Sequence, residues 1–156
     1  MWLPKLKCLS IKLLESEIFC FLYKLIDQSQ MISVFPLDFT NDWSSYIAQL
    51  HFLKVCGFHN FCPYWYNGFI SFQITSPGWF FFTLPIYLLI GNILLSTFIS
   101  LILLHILGFI FLYILGRNQK WSLLIIISFF LFLFANEISI GNFIRHGRIV
   151  SLFGFV

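Results

Sequence analysis

Charge is what this sequence has least of. Only 10% of its 156 residues are charged, against roughly 25% in soluble domains, which excludes a well-solvated globular surface. The nine Lys and Arg outnumber the six Asp and Glu for a net charge of +3, but they are scattered. Lys5, Lys7, Lys12, Lys24 and Lys54 occupy the first half, Arg117 and Lys120 follow, and Arg145 and Arg148 come near the end. No stripe is dense enough for nucleic acid, so lipid headgroups are the expected partners of these cations. Small and flexible apolar residues are nearly missing too. There are two Met and only Ala48 and Ala135 among alanines, beside 22 Phe. A bilayer would accept Leu, Ala or Val equally well, so the Phe excess points to an A/T-rich coding bias of the organellar kind.

Arginine is absent before Arg117, which argues against an Arg-rich mitochondrial presequence. Glu15 and Glu17 interrupt the apolar run behind Lys5 and Lys7, and no small-x-small site closes it, so no cleavable address is expected. Nor does any segment carry a catalytic signature. The chain reads as a non-enzyme, with bound lipids and no resident cofactor expected.

Hydrophobicity is abundant: 60% of the residues are hydrophobic and 21% aromatic. The expected fold is an all-α membrane protein in three parts. Residues 1–78 form a peripheral region, 79–144 a two-helix transmembrane hairpin and 145–156 a short tail. In the first part, Ile11, Leu14, Ile18, Phe21 and Leu25 recur at helical spacing, predicting an amphipathic helix over 10–26 that lies in the interface or docks on a partner. A linker around Pro36 precedes a second helix over 44–55, which Gly57 ends. Residues 57–78 hold Pro63, Pro77, Tyr64, Trp65, Tyr66, Phe69 and Phe72, an irregular aromatic segment suited to the headgroup level.

The first membrane run, 79–115, would be roughly 55 Å long as one helix, beyond the ~30 Å hydrocarbon core. The expectation is an interfacial start up to Pro85 and a tilted span over 86–115. A re-entrant turn at Gly91-Asn92 is the alternative. Asn92, Ser96, Ser100 and Gly108 recur at multiples of four beside Thr97 and His105, a small and polar stripe expected to face protein. Residues 116–120 connect to a second span over 121–140. Its Glu137 stands near the far interface, with Arg145 or His146 as expected partner. Cations on both sides of the hairpin leave its orientation open.

Two constellations carry chemistry. His51, Cys56, His59 and Cys62 fall within twelve residues and could hold zinc; a Cys56–Cys62 disulfide or free thiols are the alternatives, and Cys8 and Cys20 read as packed thiols. His105 lies near mid-span, where an ionisable residue is a candidate haem ligand, quinone contact or proton relay; the other reading is an interhelical hydrogen bond.

Asn142-Phe143-Ile144-Arg145-His146 is similar to the Asn-Gly-Ile-Arg-His segment of the succinate dehydrogenase cytochrome b anchor family, and Ser76-Pro77 is similar to the start of its Ser-Pro-His. The resemblance implies a membrane anchor with a haem and quinone region. Ser139 stands where that family carries a His, and the family's His-Arg-x-Ser/Thr-Gly motif is absent.

The favoured expectation is a non-catalytic accessory subunit of a multi-subunit membrane complex, in the respiratory chain of the mitochondrial inner membrane. The rivals are an anchor subunit taking part in haem, quinone or proton transfer, and a small oligomeric channel.

Overall fold

The computed structural model describes residues 3–34, 41–65, 67–73, 76–135 and 148–156, and 77% of these are helical. Helix α1 (Leu3–Ser29) runs into a 3-10 turn over Gln30–Ile32. Helix α2 (Asn41–Cys56) leads to a short hairpin of β1 (Phe61–Cys62) and β2 (Phe69–Ile70). Then come α3 (Gly78–Ile90), α4 (Ile93–Asn118), α5 (Leu123–Ala135) and α6 (Ile149–Phe155). Among the described residues, α4 alone is long and apolar enough to cross a membrane. Helix α5 is apolar but short in its described part, and residues 136–140, expected to complete a second span, lie outside the described residues.

The chain breaks at Gly91-Asn92, not at Pro85. Gly91 adopts φ 76°, and its N–H donates to the Tyr87 carbonyl at 2.9 Å, a left-handed cap that glycine accepts without a Cβ penalty. Asn92 then caps α4, its side-chain oxygen accepting from Leu94 N at 3.0 Å and Leu95 N at 3.1 Å. Pro85 stays inside α3. A left-handed residue followed by an N-cap is a complete stop-and-start signal, whereas an internal proline only removes one hydrogen bond. The two-residue connection folds α3 back onto α4. Phe153 of α6 meets Gly78, and Val156, three residues on, meets Gly108, which brings the start of α3 to the middle of α4.

The next connection is also displaced. Gly116 is helical and buried, α4 continues to Asn118, and the turn comes at Gln119-Lys120 with Trp121 N donating to the Gly116 carbonyl at 2.8 Å. A Cβ at Gly108 would lie 2.9 Å from the Phe134 ring, and one at Gly116 would lie 2.6 Å from Ile126. As positions rise along α5 they fall along α4, so the two helices run antiparallel at close approach.

Helix α4 is therefore an axis shared by two layers, α3 along its first half and α5 along its second. Helix α2 lies beside α3 in the same direction, with Tyr46 against Trp79 and Phe80 and the Lys54 ammonium 4.3 Å over the Tyr87 ring. Helix α1 is longer than expected and packs within the chain. Phe21 meets Phe130 of α5 at 5.6 Å, and Lys24 Nζ donates to the Ala135 carbonyl, capping the last described turn of α5. Leu14 and Phe21 join the core, while Ile18, Phe19, Leu22, Tyr23 and Ile26 stay exposed. The irregular aromatic segment contains the two-stranded hairpin, pairing Phe61 with Ile70 and Cys62 with Phe69. The core's largest fully buried side chains include Trp43, Trp79, Phe80 and Phe134. Trp43 satisfies its indole N–H on Gln28 Oε1 at 3.1 Å.

Candidate functional site

His105 sits at the middle of α4, where the two layers meet. It is 4% exposed, and its Nδ1 lies 2.7 Å from the Leu101 carbonyl. A carbonyl only accepts, so this contact assigns the hydrogen to Nδ1 and leaves the Nε2 lone pair free in a neutral ring. Nε2 is buried and has no partner among the described residues. Phe21 and Phe134 pack edge-on against the ring at 5.3 and 5.4 Å. Beside it Phe21, Leu25, Ile102, Ile106, Phe109 and Phe130 line a hollow of about 240 Å³. A second hollow of about 230 Å³ lies between α4, α5 and Val156, lined by Gly108, Phe111, Leu112, Leu115, Leu133 and Phe134. Both have apolar side-chain walls apart from the His105 ring, so they suit hydrocarbon rather than headgroups. A ring that donates Nδ1–H to a backbone carbonyl is oriented as metal-bound histidines are, and its free Nε2 could equally accept a hydrogen bond. Trp79 Nε1 and Thr83 Oγ1, one helical turn apart on α3, are likewise buried without a partner among the described residues.

The stripe expected around His105 divides. Ser96, Thr97 and Ser100 are fully buried, so they face protein, and the protein is this chain. Their hydroxyls do not bridge helices: Ser96 Oγ donates to the Asn92 carbonyl at 2.6 Å, Thr97 Oγ1 to Ile93 at 2.8 Å and Ser100 Oγ to Thr97 at 2.8 Å. A carbonyl one turn back is always within reach, so these residues give closeness instead of interhelical bonds. Asn92 is exposed at the helix start and acts as a cap. Gly108 is the contact point for Phe134.

His51, Cys56, His59 and Cys62 are not gathered into a ligand set. Cys56 and Cys62 are joined by a disulfide, which takes both thiolates from any metal. His51 and His59 are exposed, their rings against Phe52 and Phe58 respectively. Among the described residues no three His, Cys, Asp or Glu side chains converge as metal ligands. Cys20, expected to be packed, is an exposed free thiol on the outer side of α1. Glu137, Arg145 and His146 lie outside the described residues.

Asp42 meets Arg148 Nε at 3.4 Å across the chain, a pair that nothing in the local sequence signals. Both ends are well exposed, so the bridge contributes little by itself. It does set the surroundings of Tyr46. Burial raises the Tyr46 pKa above its ordinary 10.0, the Asp42 charge raises it further, and Arg148 opposes both. A phenol whose folded pKa is raised contributes stability that is complete below the unfolded value and lost as pH rises through the folded one. Alkaline titration followed by tyrosinate absorbance and helical dichroism is therefore expected to show unfolding above pH 10 that Tyr46→Phe delays.

No family model matches this chain, and neither does any curated protein or solved structure. The resemblance thus stands on Ser76-Pro77 and residues 142–146 alone, and the latter lie outside the described residues.

Proposed function

We propose that the chain is a non-catalytic accessory subunit of a multi-subunit membrane complex, anchored by α4 and α5 as a two-helix transmembrane hairpin. The observation that carries this reading is the bareness of α4: only 28% of its most apolar stretch is buried inside the chain. The central helix of a water-soluble domain is covered by its own protein. Here Leu103, Ile106, Ile110, Phe111 and Ile114 of α4 are exposed, together with Leu123, Leu124, Ile125, Phe129 and Phe132 of α5. Apolar surface on that scale needs lipid or neighbouring subunits. The two apolar hollows fit bound acyl chains. The Phe-rich composition fits an organellar origin, and the mitochondrial inner membrane and a respiratory complex are the setting proposed on that basis. Purification of the full chain from native membranes in mild detergent is expected to bring down several different polypeptides in fixed ratio. A homo-oligomer alone would count against the proposal and favour a channel.

The free Nε2 of His105 favours one second reading, an anchor subunit whose imidazole ligates haem or contacts a quinone. A single histidine needs its second axial ligand from another chain for bis-imidazole haem. On the accessory reading, His105→Ala leaves any b-type haem spectrum of the purified complex unchanged while loosening assembly. On the second reading, the haem signal disappears.

A further inference from the structure

Charged side chains of α1, α2 and α6 stand level with the middle of α4. Phe134 of α5 meets α4 at Gly108, and the carbonyl of the next residue, Ala135, accepts from the Lys24 ammonium of α1. Asp27 follows one turn later on α1, half-buried, and beside it Gln28 binds the indole of Trp43. Asp42 precedes Trp43 in the first turn of α2. One turn further on, Tyr46 rests on Trp79 and Phe80, at the start of α3 and so again level with the middle of α4. Arg148, at the N-cap of α6, pairs with Asp42, and α6 is followed by Val156 at Gly108. Routes through α5, α3 and α6 thus agree on the level of this belt.

Helix α4 is 26 residues long, so in a span its middle lies roughly 15 Å from either edge of the hydrocarbon core. Lipid cannot cover the belt at that depth. Arg148 keeps 56% and Asp42 41% of its side chain exposed, and their contact engages Arg148 Nε with Asp42 Oδ2 only. Both terminal guanidinium nitrogens and Asp42 Oδ1 have no partner among the described residues. Gln30 and Ser44 are exposed nearby. Ionised groups inside a membrane turn to protein, because hydrocarbon supplies neither donors nor acceptors. Elsewhere on α4 the exposed residues are Leu103, Ile106 and Ile110, which lipid accepts.

We propose that this belt docks a membrane-spanning helix of a neighbouring subunit, which presents a carboxylate to the Arg148 guanidinium and a polar donor to Asp42. Charge complementarity sets that chemistry, since Arg148 offers only donors and Asp42 only acceptors. The inference rests on α4 being a span within a complex, and its test separates the two.

In the full-length chain within its native membranes, a diazirine-bearing leucine analogue replaces either Ser44, beside the belt, or Ile110, on the bare side of α4. Illumination inserts the carbene into whatever touches it, and mass spectrometry identifies the adduct. Position 44 is expected to capture an apolar segment of one other subunit with Asp or Glu within two turns of the adduct, and position 110 to capture acyl chains. A segment without a carboxylate, an acyl chain, or this chain itself captured at position 44 overturns the proposal. Water at position 44 with acyl chains at position 110 overturns it too and leaves the span intact. Water at both positions removes the span, and the proposed function with it. Arg148→Gln is expected to lower both the capture at position 44 and the amount of that subunit retained in mild detergent by at least about tenfold. The same variant is expected to leave thermal unfolding of the isolated chain in micelles unchanged, because an exposed bridge contributes little there. Undiminished capture, or an isolated chain that unfolds earlier, reduces Arg148 to a part of this chain's own fold and overturns the docking.

Discussion

Replacing Gly91 and Asn92 together by Leu is expected to turn the folded-back α3–α4 pair into one straight helix. Holding an L-residue in the left-handed region costs about 1–2 kcal/mol, and loss of the Asn92 cap about 0.5–2 kcal/mol. Both penalties fall on the turned form alone, while Leu at both positions favours continuous helix. Spin labels at Phe81→Cys and Leu103→Cys, both on exposed positions, report the change. In the straight form they stand about 33 Å apart along the helix, well beyond their separation in the native fold. Asn92→Ala alone should lower stability without moving the labels. An unchanged distance in the double variant would mean that packing against α2 and α6, not the turn, imposes the fold-back.

The second large effect is expected at Gly116. Its Cβ would stand 2.6 and 2.7 Å from the Cγ1 and Cδ1 of Ile126, a side chain only 1% exposed with little room to withdraw. Gly116→Val should therefore destabilise the α4–α5 contact by about 1–3 kcal/mol, the usual cost of overpacking. Adding Ile126→Ala removes the obstacle, so the double variant should be more stable than the sum of the two single effects, by about 0.5–3 kcal/mol. Reversible unfolding in mixed micelles measures all three. Gly154→Ala, which meets nothing within 4 Å, is the neutral control. Strict additivity at positions 116 and 126 would sink the close approach of the two helices.

Local signals are legible in this sequence, and signals that depend on distant partners are not. Helical spacing located α1 and α2, although α1 starts earlier and α2 begins at Asn41, where Asp42 in the first turn suits the helix dipole. Gly91-Asn92 is legible as a breaking point beside Pro85, but the sequence does not choose between them, because a proline's missing N–H is visible in it and the fold-back is not. Gly116 looked like a connector because glycine marks turns and close contacts alike, and only the position of Ile126 tells them apart. Around the candidate site, the burial of Ser96, Ser100 and His105 followed from polar residues in an apolar helix. Their bonding did not, because a hydroxyl satisfies itself on its own helix as readily as on a neighbour. The same two thiols serve a disulfide or a zinc ion, and sequence spacing does not choose between them. Asp42 with Arg148, Gln28 with Trp43 and Lys24 with Ala135 are pairs set by the tertiary fold, for which one sequence offers no cue.

The contact between Lys24 and Ala135 joins residues 111 apart, and this has a consequence for the order in which the molecule is made. At about 5–20 residues per second, α1 emerges from the ribosome roughly 5–20 s before the helix that covers it exists. The α3–α4 pair, joined by two residues, needs no such wait and can close as soon as its own chain is out. Helix α1 thus waits on a partner made much later in the chain. In the interval its Leu14 and Phe21 face must be sheltered by a lipid surface or a chaperone, which makes that interval the stage of biogenesis most exposed to aggregation.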